Sequence, residues 1–415
     1  MSKVVVIGAG PAGMIAAIEA RKNGNEVILL EKNNELGKKL NITGKGRCNV
    51  TYVGDNEKFL NNVVNNPKFL ISTINTFNNI DLISFLNEIG IDVKEERGSR
   101  VFLKSDNAKE LAERFNKKLK ETGVQISYRS IVKDIISENN KIKEVILDND
   151  QKIKCDACII ATGGKSYPGT GSTGDGYKIA KKLGHEIINP KPALVGLKVK
   201  EQDECKKLQG LSLKNIEISI KKLEDSKIIY RDFGELLFTH FGFSGPIILS
   251  ASSKINDYDD SINKGKIELL IDLKPALSKE MLYKRLTRDF TKYTNKNYDN
   301  SLNDLLPKSI IPVIILRSKI RADKKVNQIT KEEKENIVNI IKEFKYIITG
   351  LLPIETGIVT AGGISTKEIN PKTMESKIIK NLYFAGEVID TDAYTGGYNL
   401  QIAFSTGFVA GNNIN

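Results

Sequence analysis

Apolar residues in this chain form short unbroken runs near its two ends and alternating or helix-spaced patterns between them. Val4-Val5-Val6-Ile7, Val27-Ile28-Leu29-Leu30 and residues 157–161 read as strands buried on both faces, which points to a parallel sheet. Residues 12–23 have helical composition and join the first two runs, so the chain opens as a strand, a helix and a strand. Helical patterns follow at 68–77, 81–89 and 108–122, then strands at 125–128, 131–137 and 142–147, with Asp148-Asn149-Asp150 turning a hairpin. Residues 37–51, dense in Gly, Lys and Asn, read as a loop. From about residue 192 the texture changes to β-rich segments at 197–199, 216–220, 228–231 and 267–271. A mainly helical stretch spans 279–345, with Ile337, Ile340, Ile341 and Phe344 at one-face spacing. Short buried strands return at 357–360 and 382–385, and a closing helix starts near Asn399. Residues 193–352 therefore read as an insertion, after which the C-terminal segment returns to complete an α/β nucleotide-binding domain.

The turn between the first strand and helix carries the first chemistry. Gly8, Gly10 and Gly13 are spaced Gly-x-Gly-x-x-Gly immediately after a strand, the context in which that spacing is informative. Gly8 permits a sharp turn, Gly10 lets the backbone approach a pyrophosphate, and Gly13 lets helix and strand pack closely. The helix N-terminus, from Pro11 and Ala12, turns free N–H groups toward phosphate charge. Glu31, eighteen residues after Gly13 and followed by Lys32, ends the second strand where a carboxylate accepts from ribose hydroxyls and disfavours a 2′-phosphate. NAD and FAD both use such a cradle, so the turn alone leaves the choice open.

Composition narrows the surroundings. The chain has 415 residues, 40% of them hydrophobic, with no long apolar run, so a sizeable core and no membrane partner are expected. Lys and Arg number 63 against 51 Asp and Glu, a net charge of +12. The lysines are scattered rather than clustered, which favours a solvated surface over a nucleic-acid face. No basic segment precedes the first strand, and a cytoplasmic protein is expected. Cys48, Cys155, Cys158 and Cys205 are too few and too irregular for a disulfide framework. Cys155-x-x-Cys158 enters a strand and has no second pair, so buried structural thiols are expected, and no metal-ligand cluster is visible.

Several further motifs carry a resemblance. Ala161-Thr162-Gly163-Gly164 at the end of a buried strand looks like the second flavin-contacting motif of two-dinucleotide-fold flavoproteins, and Thr173-Gly174-Asp175-Gly176 is similar to the corresponding stretch of fumarate-reductase-type flavoproteins. Three blocks narrow it: Thr43-Gly44-Lys45-Gly46-Arg47-Cys48-Asn49, Phe238 to Pro246, and Ala385-Gly386-Glu387 running on to Gly396-Gly397-Tyr398-Asn399-Leu400-Gln401. Together they resemble the bacterial BaiN-type flavoproteins, also called the aminoacetone-oxidase family, along essentially the whole chain. Lys45 departs from the pattern, since relatives favour glycine there. The resemblance implies FAD and a Rossmann-like FAD-binding domain (1–192 plus 353–415) carrying an inserted β-barrel domain (193–275) and a helical subdomain (276–352). It also implies oxidoreductase activity.

On that reading FAD lays its pyrophosphate over Gly10 to Gly13 and its adenosine ribose on Glu31. Gly46, Arg47, Cys48 and Asn49 border the cofactor, Arg47 neutralising phosphate or stacking near the flavin, unless it is only a surface residue. Val132 offers backbone groups to the adenine, unless it is only a core residue. Glu387 accepts from ribityl hydroxyls, with Gly386 admitting the cofactor. If Asn399 begins the closing helix, the N–H groups of Asn399, Leu400 and Gln401, reached past Gly397, face the flavin pyrimidine edge. Hydride chemistry belongs to flavin N5, leaving the protein to position substrate and manage a proton. His240, Tyr394 and Tyr398 are the candidate proton donors. No second glycine fingerprint follows a strand, so NAD(P)H would be a transient donor. The expected reaction reduces an activated C=C bond of an enone such as a 3-oxo steroid or bile acid. An oxygen-using amine oxidase, an RNA-modifying flavoprotein and a non-catalytic flavoprotein are the alternatives. Sequence leaves the oligomeric state undetermined.

Overall fold

Val4, Val5 and Val6 have no exposed surface in β1 (Lys3–Ile7), the central strand of a five-stranded parallel sheet. The computed structural model describes residues 1–414 and divides into two compact units, Met1–Ala193 with the chain from Pro353 onward, and Leu194–Leu352. In the first unit the sheet order is Leu382–Phe384, Ala157–Ile160, β1, β2 (Glu26–Leu30), Gln125–Ser127. Val6 lies opposite Ile159 on one side and Leu29 on the other. Continuous apolar runs are what such a sheet requires, because both of its faces are covered.

The helix α1 (Pro11–Lys22) starts with proline in its first turn, where no N–H is lost to the helix. It packs against the closing helix, Tyr398–Asn412, through glycines. A Cβ on Gly407 would lie 2.3 Å from the Ala12 carbonyl oxygen, and one on Gly411 would lie 2.3 Å from that of Ala16. Only glycine lets the two backbones approach this closely.

Three small antiparallel sheets complete the unit. Val132–Glu138, Lys141–Leu147 and Lys152–Lys154 form the meander. Asn49–Tyr52, Arg100–Leu103 and Val93–Glu96 form a second sheet, which the loop reading of residues 37–51 missed. Its strands are four residues each, too short to display an alternation. Ile187–Ala193 pairs with Val359–Ile364 as the third.

The second unit holds a closed six-stranded barrel of Leu197–Val199, Gly242–Ser244, Ile228–Thr239, Ser212–Lys222, Ile267–Asp272 and Phe344–Leu351. Its last strand comes from the stretch expected to be helical. Helical spacing stops at Ile341, and Phe344, Tyr346 and Ile348 are then buried in alternation, the period of a strand. The helices Lys279–Lys292, Ile311–Ser318 and Lys331–Lys342 share one apolar core with the barrel.

Candidate functional site

The glycine turn has the geometry its spacing implies. Gly8 takes φ +98°, and a Cβ there would meet the Ala161 carbonyl oxygen at 2.6 Å; one on Gly13 would meet the Gly8 carbonyl oxygen at 1.9 Å. Around Gly10 the space is open, with nothing within 4 Å of a Cβ, and no side chain caps the start of α1. The first N–H groups of a helix have no partner within it, so this open end suits an anion. A dinucleotide therefore fits the residues present: a cradle free of side chains, beside an uncapped helix end.

Glu31 is buried and held in place. Its Oε2 accepts from the Ala9 N–H at 2.8 Å, and its Oε1 from the Asn33 N–H at 2.7 Å and Nδ2 at 2.8 Å. Each oxygen accepts about two bonds, so Oε2 keeps room for a ribose hydroxyl. Lys32 is turned elsewhere: its Nζ donates to Thr173 Oγ1 at 2.6 Å and pairs with Asp175 at 2.7 Å. Burial alone would raise the Asp175 pKa, but Lys32 and Thr173 bring it below the ordinary carboxylate value. Val132 lies one strand position beyond Ile131, opposite Leu147, just past Ser130, whose N–H donates to the Glu31 carbonyl.

Thr162 to Gly164 sit where the second motif meets the cradle. A Cβ on Gly164 would come within 2.3 Å of Thr360 Oγ1 and 2.8 Å of Glu387 Oε1, while one on Gly386 would lie 2.9 Å from the Ala12 Cβ. Glu387 is thus brought beside the first turn of α1. Its Oε1 accepts from the Thr360 N–H at 2.9 Å, Ser166 Oγ at 3.0 Å and Lys39 Nζ at 3.1 Å, and its Oε2 from Lys39 at 2.8 Å. Lys39, Ser166 and Thr360 were not found from sequence. The available signal was Lys38-Lys39 directly after Gly37 in the loop that leaves β2.

The Thr43 to Asn49 block turns sharply, with positive φ at Gly44, Lys45, Gly46 and Cys48. Lys45 at φ +59° occupies a conformation that glycine adopts freely. Cys48 is fully buried, and burial pushes its thiol up to about 12. Arg47 has partners of its own in the structure. Its guanidinium pairs with Glu96 and Asp106 and lies 4.4 Å over the Phe102 ring, so its charge is already matched within the small sheet. Asn49, with its carboxamide oriented by its neighbours, accepts from the Gly397 N–H at 3.0 Å and donates to the Thr51 and Val101 carbonyls.

The closing helix begins at Tyr398, one residue before the expected start, after Gly397 at φ +93° and with no side-chain cap. Gln401 is spent internally: its N–H donates to the Gly397 carbonyl, and its buried amide bonds Thr51, Ser405 and Phe77. Tyr398, Asn399 and Leu400 therefore supply the first-turn N–H groups. The Asn399 side chain clamps the preceding loop, accepting from the Ala393 N–H at 2.9 Å and donating to its carbonyl at 2.7 Å.

Of the proton-donor candidates, Tyr398 is buried, its ring 5.0 Å from that of Tyr52, and burial raises its pKa. Tyr394 is half-buried in the clamped loop. His240 lies in the other unit, exposed at the turn between Ile228–Thr239 and Gly242–Ser244. The other three cysteines are buried like Cys48, and burial raises all of their pKa values. Among the described residues no cluster of acidic, His or Cys side chains could hold a metal ion, and no helix is long and apolar enough to cross a membrane.

A Rossmann sheet, an open glycine cradle and a second glycine motif converging on it define a dinucleotide-binding enzyme. More particularly, the chain belongs to the HI0933-like family: residues 2–413 match the family described as HI0933-like protein Rossmann domain. The chain is 31% identical, over 98% of its length and 97% of the relative's, to the ribosomal RNA dihydrouridine synthase of Haemophilus influenzae. To the 3-dehydro-bile acid delta(4,6)-reductase of Clostridium scindens it is 29% identical, over 99% and 98%. Its fold is also that of the 3-ketosteroid-delta4-(5alpha)-dehydrogenase of Rhodococcus jostii, with a TM-score of 0.54 at 14% identity over 99% of this chain and 96% of that one.

Proposed function

We propose that the protein uses FAD and a transient NAD(P)H donor to reduce a C=C bond conjugated to a carbonyl. The observation that carries this reading is a shared reaction at two full-length relatives with unlike substrates. Dihydrouridine differs from uridine by two hydrogens across a C=C bond conjugated to a ring carbonyl, and a delta(4,6)-reductase of a 3-dehydro bile acid saturates bonds conjugated to the 3-oxo group. Bound FAD, once reduced by the nicotinamide, would supply hydride to the β-carbon of such a system. The chain's own part is to hold the cofactor and to deliver a proton to the α-carbon.

For the first task, Gly8, Gly10, Gly13 and the open end of α1 receive the diphosphate, Glu31 the adenosine ribose, Val132 the adenine edge, and Ala161 to Gly164 with Gly386 and Glu387 the ribityl side. The uncapped first turn at Tyr398, Asn399 and Leu400 stabilises negative charge that develops on the ring. For the second, Tyr394 is the donor, since Tyr398 is committed to packing against Tyr52. The substrate is a small enone in the first reading. A uracil base of ribosomal RNA is the second, favoured by the 31% identity to the Haemophilus influenzae relative.

The test reduces the purified flavoprotein anaerobically with NADPH or NADH and then adds either a 3-oxo-4-ene steroid or an unmodified ribosomal RNA transcript. Return of the oxidised flavin spectrum with a saturated product identifies the substrate class. Reoxidation by oxygen with amines, and by neither alkene, would replace the proposal with an amine oxidase.

A further inference from the structure

The loop leaving β2 returns to the glycine turn, because the Gly37 N–H donates to the Ala9 carbonyl at 2.9 Å. Two residues later, Lys39 sends its side chain to Glu387 and Ser166, at 2.8 Å and 2.6 Å. Glu387 lies next to Gly386, which packs on Ala12 in the first turn of α1. Through Gly386, the Lys39–Glu387 pair is therefore joined to the uncapped end of α1. The pair is sheltered, with side chains only 22% and 21% exposed, so its charges are weakly screened. Glu387 Oε1 already accepts three bonds, which leaves Oε2 as the carboxylate's open edge.

We infer that Lys39 is the side-chain cation that anchors the diphosphate of the bound dinucleotide, and that Glu387 both holds Lys39 and accepts from a cofactor hydroxyl through Oε2. The inference rests on the flavin reading and adds to it a side-chain cation for the diphosphate.

Lys39 acting only as a counter-ion for Glu387 makes a different prediction, which a double variant separates. FAD affinity of the apoprotein is measured by flavin fluorescence for the wild type, Lys39→Met and Lys39→Met with Glu387→Gln, alongside thermal unfolding of each apoprotein. Lys39→Met is expected to weaken FAD binding by about tenfold or more, and the double variant to remain equally weak, because no counter-ion repair restores a lost phosphate contact. Wild-type affinity should fall with added salt more steeply than that of Lys39→Met. Recovery of the double variant to within about twofold of wild type overturns the inference, as does a Lys39→Met affinity within that margin. Should Lys39→Met fail to fold, the wild-type salt series decides, and a salt-independent affinity overturns it. A wild-type protein that binds no FAD sinks the flavin reading itself, a result distinct from unchanged binding by the variant.

Discussion

Gly407 of the closing helix lies so close to Ala12 of the cradle helix that a single added carbon would sit 2.3 Å from the Ala12 carbonyl oxygen. Gly407→Val is accordingly expected to destabilise the protein by about 1–3 kcal/mol through overpacking. It should also weaken FAD retention, since Ala12 opens the helix whose end faces the cradle. Urea unfolding and flavin content on purification check both; unchanged values would mean the helices separate without cost.

Arg47 is matched by Glu96 and Asp106. Arg47→Gln should leave FAD affinity within about twofold of wild type. A loss as large as that expected for Lys39→Met would return Arg47 to the cofactor.

Buried His185 gives a pH dependence. Ser376 Oγ accepts from the Ile378 and Ile379 N–H groups, so its own proton goes to His185 Nε2 at 2.7 Å, while Nδ1 meets the Ala180 carbonyl. Burial, partly opposed by that carbonyl, lowers the ring's pKa below 6.5. The unfolded chain then binds a proton near pH 6.5 that the folded chain refuses, so stability is full above that pH and falls as the pH drops toward the folded pKa. Urea midpoints from pH 8 to pH 5 should decline for the wild type, and the decline should be shallower for His185→Gln. Parallel curves would place the acid sensitivity elsewhere.

Tyr394→Phe isolates the proton step. Turnover of a conjugated alkene should fall by about a hundredfold, with flavin reduction by NAD(P)H unchanged. Equal turnover by the variant would assign the proton to another group or to water.

The parallel sheet was legible because its strands are uninterrupted apolar runs and its first turn is spelled in glycines. Local pattern reached its limit where partners are distant. Lys39 meets Ser166 across 127 positions and Glu387 across 348, and nothing in the neighbourhood of Gly37 announces either. Arg47 gives no local sign of its ion pairs, because Glu96 ends a short strand of mixed residues and Asp106 lies past the end of the next one. The last barrel strand was hidden by Phe344, which continues the helical spacing of Ile337 and Ile341 by coincidence before the alternation of Tyr346 and Ile348 takes over.

The pairing of Pro11–Lys22 with Tyr398–Asn412 also bears on biosynthesis. A nascent polypeptide emerging from the ribosome exposes its glycine turn almost at once, yet the helix that backs it and the edge strand Leu382–Phe384 are translated only after the whole barrel unit. The first helix is thereby left without its packing partner until synthesis is nearly complete.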